Sequence, residues 1–138
     1  SACEPRVTVQ RDWTLFAKRL ALRVNFDLLT VLEVDWHENL VRRHFSTDEV
    51  NYPSGGIKRL MGSPWADRVI FGGQAFRSQT SAEFRASFAD YRKLEALDLS
   101  FALNVPWQEL GRTVFTVNLL RGTGAFPEQA VSAVLQRL

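Results

Sequence analysis

At 138 residues, 46% hydrophobic and 23% charged, with a net charge of +2, the chain has the length and composition of one globular domain around one core. Its basic residues are scattered, with pairs such as Arg42-Arg43 and Lys58-Arg59 but no stripe to track a nucleic-acid backbone, so no nucleic-acid partner is expected. No apolar run approaches the roughly 20 residues that cross a bilayer, no signal-peptide pattern stands at the start, and the lone Cys3 excludes an internal disulfide; the expectation is a cytoplasmic protein with no membrane partner.

Residues 1–9 have little to bury and read as an extension ahead of a domain over 10–138. From Asp12 the pattern turns helical. Trp13, Phe16, Ala17, Leu20, Ala21 and Val24 recur on one face, Asp12 is a fitting N-cap, and the helix is predicted over 12–25. Leu28–Trp36 and Leu40–Ser46 are rich in β-branched and apolar residues and predict two strands joined by His37-Glu38-Asn39. The short connection makes them an antiparallel hairpin, with Glu33 opposite Arg42 or Arg43. Thr47–Gly56 is a polar loop with turn residues, and a short helical stretch is predicted near Ile57–Met61.

Ser63-Pro64-Trp65 is a helix start, serine capping and proline at the first helical position, and Gly72-Gly73 stops that helix about two turns later. Ala75–Ser78 predicts a short strand. Thr80 and Glu83 have capping-box spacing, and the helix they open carries Phe84, Phe88 and Tyr91 at i, i+4 and i+7. Phe101–Pro106 and Thr113–Leu120 then flank a polar turn ending in Gly111. Their Val, Phe and Leu content predicts a β-hairpin buried on both faces, with Pro106 at a strand end, where its missing N–H costs least. Pro127 opens a last helix with an apolar stripe of Val131, Val134, Leu135 and Leu138. This element order predicts an α+β fold, an antiparallel sheet with helices on both faces.

Patterns that carry chemistry are sparse. His37 and His44 are the only histidines, and with one distant cysteine they predict no metal site. No Gly-x-Ser-x-Gly elbow occurs, Gly55-Gly56-Ile57-Lys58 lacks the spacing of a phosphate-binding loop, and Gly122-Thr123-Gly124 reads as a turn. Glu33 and Asp35 share one strand face; acid–base work would need burial and raised pKa values, and a solvated or ion-paired role is the default. No nucleophile stands beside a base, so no catalytic residue and no cofactor are assigned, and an enzyme is not expected.

Several motifs in order resemble a GAF domain: Gly56-Ile57-Lys58-Arg59-Leu60, Ser63-Pro64-Trp65, Gly73-Gln74-Ala75-Phe76, Leu97-Asp98-Leu99-Ser100, Leu103-Asn104-Val105-Pro106, Gly111, and Val117-Asn118-Leu119-Leu120. The likeness runs from about residue 11 to 138. It implies an antiparallel sheet of five or six strands, the terminal helices packed on one face and a pocket covered by short helices and loops on the other. It implies a sensory domain that binds a small molecule and signals through its terminal helices. A ligand-free homodimerisation module, paired through those helices, is the alternative, and a small enzyme of this fold a weaker one. Free methionine sulfoxide reductases of the fold need mid-domain cysteines, which this chain lacks. Its tetrapyrrole-binding members attach pigment through a cysteine, and Cys3 lies outside the domain body.

Strand alternation assigns faces. If Val117 and Leu119 face the terminal helices, Thr116, Asn118 and Leu120 face the pocket. Phe101, Leu103 and Val105 are placed on that same side, with Trp65 and Phe71 closing the cavity. The expected ligand-binding residues are Trp65, Phe71, Phe101, Leu103, Thr116 and Asn118, for a ligand of unknown identity. Core packing is the competing role for the apolar four, and a structural hydrogen bond for Asn118.

Overall fold

The computed structural model describes residues 10–138; the predicted extension over 1–9 lies outside them, as does Cys3. Asp12 accepts a hydrogen bond from Leu15 N and opens α1 (Trp13–Leu20). The helix is shorter than the predicted span because its end tightens: Leu22 N bonds Arg19 O and Arg23 N bonds Leu20 O, three residues back rather than four. Strands β1 (Leu28–Asp35) and β2 (Leu40–Ser46) form the predicted hairpin, with Glu33 paired to Arg42.

Residues Ile57–Arg59 are a strand, β3, rather than the predicted helix. The open edge of β2 decides it. Gly55 N donates to Arg43 O and Arg43 N donates to Gly56 O, both at 2.7 Å, and the pairing continues from Ile57 opposite Arg42 to Arg59 opposite Leu40. Ser63 then accepts from Ala66 N and starts α2 (Pro64–Ala66), which widens into a π-helical turn over Asp67–Phe71. Strand β4 (Phe76–Arg77) follows.

The capping box forms as predicted: Thr80 accepts from Glu83 N while Glu83 accepts from Thr80 N. The helix it opens, α3 (Ser81–Ser87), ends sooner than the i, i+4, i+7 pattern predicts. Ser87 Oγ donates back to Glu83 O and Phe88 is extended, so Tyr91 starts a separate α4 (Tyr91–Ala96). A Schellman motif closes α4: Leu99 N bonds Leu94 O, Asp98 N bonds Glu95 O, and Asp98 takes the left-handed position at φ 58°.

Strands β5 (Phe101–Glu109) and β6 (Arg112–Arg121) are the long central hairpin, and α5 (Gln129–Leu135) ends the fold. Their turn, Leu110-Gly111, has φ 52° and 79°, the double positive φ of a type I′ turn. Pro106 lies inside β5, not at its end. Ala102 bonds outward to the Ser78 side, and by alternation the Pro106 nitrogen points to that same edge, beyond the two residues of β4.

All pairings are antiparallel, in the order β3-β2-β1-β6-β5-β4. The sheet divides two apolar clusters. Trp13, Phe16 and Leu20 of α1 and Ala130 and Val134 of α5 pack on Leu29, Val31, Leu103, Val105, Phe115, Val117 and Leu119. On the other face Leu28, Val34, Val41 and Leu120 meet Tyr52, Leu60, Trp65, Ile70, Phe84, Phe88 and Leu94 from the cover. Terminal helices, sheet and cover make three layers, the α+β arrangement expected from the sequence. None of the described helices is long and apolar enough to cross a membrane.

Candidate ligand cavity

A cavity of about 100 Å³ lies between the sheet and the cover. Its floor is Leu28, Thr30 and Leu32 of β1, Val41 and Arg43 of β2, Asn104 of β5, and Asn118 and Leu120 of β6; Tyr52, Lys58, Trp65, Phe88 and Leu94 close it from above. The exposed members of the lining, Ile57 and Asp90, mark its solvent side.

The chain builds this wall locally. Asp48 accepts from the backbone of Val50 and Asn51 and from the Asn51 side chain, and Glu49 accepts from Ser54 N and Oγ. These bonds hold both carboxyls below the usual carboxylate range, Asn51 being the main cause for Asp48 and Ser54 for Glu49. The folded loop delivers Tyr52 into the apolar cover at 5% exposure. Arg43 reaches the same place from β2. Its Nη1 donates to Pro53 O at 2.9 Å, and its guanidinium lies 5.3 Å from the Tyr52 ring centre. Gly56 lies close beside it: a β-carbon there would stand 2.6 Å from Arg43 Nη1, so a side chain at this position would shift the guanidinium. Trp65 is carried in by the Ser63 cap, and Thr113 Oγ1 donates to Ile70 O at 2.8 Å, tying the cover to the sheet.

Among the described residues, the buried side-chain polar atoms without a hydrogen-bond partner are Arg43 Nε, Tyr52 OH, Trp65 Nε1 and Asn104 Oδ1. Every one belongs to a residue lining this cavity. Such atoms are rare in folded proteins and cost about 1–3 kcal/mol each, and their gathering on residues of one cavity singles that cavity out. Lys58 adds a second cation: its Nζ lies 5.3 Å from the Trp65 ring centre and 5.7 Å from that of Phe88. Burial lowers the Lys58 pKa; Asp90 raises it in part, and Arg43 lowers it further. Burial also pushes the Tyr52 phenol up to about 12, with Asp90 adding to the shift, so Tyr52 keeps its O–H at neutral pH as a hydrogen-bonding group.

Of the six residues expected at the site, Trp65 and Asn118 line the cavity and four do not. Leu103 pairs with Leu119 and packs with it under the terminal helices, on the opposite face, as does Val105. Phe101, paired with Arg121 at the end of the hairpin, shares their alternation and stays half-buried away from the cavity. Phe71 is 48% exposed at the end of the π-helical turn, edge-on to Trp36. Thr116 is buried behind Asn118, whose Nδ2 donates to its Oγ1 at 3.0 Å. Sequence analysis missed Arg43, Tyr52, Lys58 and Asn104. Two left traces: Arg43 stands two residues from Val41 on the same strand face, and Tyr52 is an aromatic in an otherwise polar loop.

Glu33 faces Arg42 in the register, but neither it nor Asp35 forms an ion pair within 4.0 Å among the described residues. No group of three metal-ligating side chains gathers among them either.

No protein-family model matches the sequence, and no curated protein matches it. Solved structures do match. The GAF domain of a two-component sensor histidine kinase from Bacillus halodurans superposes with a TM-score of 0.74 at 15% identity, covering 91% of this chain and 84% of that one. The GAF domain/HD domain protein from Geobacter sulfurreducens gives 0.72 at 14% identity over 91% and 83%. The type II free methionine-R-sulfoxide reductase from Thermoplasma acidophilum gives 0.61 at 11% identity over 89% and 82%. The layers, the sheet order and these neighbours agree: the chain has the fold of GAF domains.

Proposed function

We propose that this chain is a non-enzymatic sensory domain that holds a small molecule in the cavity and relays its presence through the terminal helices. The carrying observation is the gathering of four unpartnered buried polar atoms around one cavity. The sensor-kinase neighbour supports a sensory role, and the absence of a thiol from the cavity lining favours binding over sulfoxide reduction. Signalling would be a population shift, the ligand favouring a closed cover and α1 and α5 reading it through the shared sheet. Leu32, half-buried in the floor, gives the test. Screened by amide chemical shifts against small carboxylates, amides, amino acids and nucleosides, the wild type is expected to show a responder at Leu28, Asn104, Asn118 and Leu120. Leu32→Trp, which fills the cavity, abolishes that response. A wild type silent to the whole panel overturns the proposal.

Pairing of two copies through the terminal helices is a second reading, compatible with the first. Leu22 at 84% exposure, with Leu15 and Leu135 at 41% and 42%, offers an apolar surface on those segments. Sedimentation at micromolar concentration is expected to show a dimer that Leu22→Glu dissociates; a wild-type monomer removes this reading.

A further inference from the structure

The cavity is lopsided both in charge and in hydrogen-bonding sense. The donor-bearing side chains of the lining, Arg43, Lys58, Tyr52 and Trp65, stand on β2, β3 and the cover. Against them the floor carries one fully buried unpartnered acceptor, Asn104 Oδ1, together with the hydroxyl of Thr30, which makes no hydrogen bond among the described residues. Its orientation is fixed from behind. Asn118 Nδ2 is committed to Thr116 Oγ1 and the carbonyls of Thr30 and Thr116, so Asn118 Oδ1 must accept from Asn104 Nδ2, at 2.8 Å. That leaves Asn104 Oδ1 free to accept. The charged lining is two cations and one carboxylate; Asp90 is exposed and forms no ion pair within 4.0 Å with either cation. The remaining wall is mainly aliphatic and aromatic.

Each feature narrows the ligand class. Two cations in an apolar wall repel a cationic ligand and favour one negative charge. Nitrate would satisfy the donors but leave Asn104 Oδ1 and the apolar wall without partners, and phosphate, which brings a P–OH donor, would still leave the apolar wall without one. An α-amino acid would bring an ammonium group beside Arg43 and Lys58, with only the rim carboxylate of Asp90 to offset it. A cavity of about 100 Å³ favours a compact ligand.

We infer that the cavity takes a compact monocarboxylate bearing a hydroxyl group. The carboxylate is held among Arg43, Lys58, Tyr52 and Trp65, the hydroxyl donates to Asn104 Oδ1, and the short carbon chain lies against Leu28, Val41 and Leu120. This rests on the ligand-binding role proposed above. The bound anion restores the charge that burial disfavours at Lys58. Binding therefore weakens as pH rises through the depressed Lys58 pKa. The other charged or titratable groups facing Lys58 are Arg43 from β2, Tyr52 from the loop and Asp90 ahead of α4.

The test is calorimetry and amide chemical shifts with lactate, the larger 2-hydroxyisovalerate, propionate, lactamide, alanine, nitrate and phosphate. One or both hydroxy acids are expected to move Leu28, Asn104, Asn118 and Leu120 and to bind at least tenfold more tightly than the rest. Lys58 Nζ makes no hydrogen bond among the described residues, so Lys58→Met should keep the unfolding midpoint while weakening hydroxy-acid binding at least tenfold. Asn104→Leu should bring lactate and propionate to equal affinity. If lactamide, alanine, nitrate or phosphate binds as tightly and moves the same amides, the hydroxy-acid assignment falls and the pocket stands. Unchanged affinity in Lys58→Met has the same consequence. If no probe moves those amides, the cavity holds solvent and both proposals fall.

Discussion

Replacing Phe115 by alanine is expected to cost about 3–5 kcal/mol of folding free energy, the range for a buried phenylalanine whose site cannot collapse. Phe115 is fully buried at the centre of the sheet, on the face covered by α1 and α5. Its ring lies edge-on to Trp13 at 5.4 Å between centres and stacked on Trp107 at 6.2 Å. Truncation removes both ring pairs as well as the buried area, and a backbone paired on both sides at this position cannot close the gap. Domains have about 5–15 kcal/mol to lose, so this one change uses a large part of it. Phe71→Ala is the contrast: its ring is 48% exposed and its aromatic neighbour is Trp36 alone, so a loss of no more than about 1 kcal/mol is expected. Urea unfolding of both variants, with the slope checked for constancy, measures the difference. A Phe115→Ala loss below about 1.5 kcal/mol would mean the helix-covered core is not what holds the layers together.

The same residue shows why the fold was legible in the sequence and half the cavity floor was not. Caps, turn residues and apolar periods are local, and they placed α1, the β1–β2 hairpin, the Ser63 start and the Thr80–Glu83 box correctly. Facing is a matter of register, which is not local. The turn pairs Glu109 with Arg112 and Gln108 with Thr113, but Trp107 then pairs with Phe115, skipping Val114. Without that bulge Leu103 would stand opposite Asn118, on the cavity side. The extra residue moves every later pair by one and puts Asn104 there instead. Ile57–Arg59 failed for a related reason. Three residues carry no readable period, and the open edge of β2 determined their conformation. Lys58 entered the cavity through that edge pairing, so neither its charge nor its neighbours in sequence announced it.

The Asn104–Asn118 pair that the bulge creates should behave as a unit. Asn118 is 4% exposed, accepts from Asn104 at 2.8 Å and donates to Thr116 Oγ1 at 3.0 Å. Asn118→Leu keeps the volume but strands the Asn104 amide nitrogen beside an oxygen that already lacks a partner. The expected loss is about 2–4 kcal/mol, since each buried group left unsatisfied costs roughly 1–3 kcal/mol. Asn104→Leu should cost less, because it leaves only Asn118 Oδ1 stranded and removes an orphan at the same time. The double replacement removes donor and acceptor together and should return to within about 1 kcal/mol of wild type, a coupling energy on the order of 2 kcal/mol. Additive losses in that cycle would show that the two amides do not depend on one another. The double variant, near wild type in stability but without Asn104 Oδ1, should no longer distinguish lactate from propionate. Stability and selectivity part company at this pair: an unpartnered buried Asn104 Oδ1 costs folding energy, and on the proposed reading it is the atom that a ligand hydroxyl would meet.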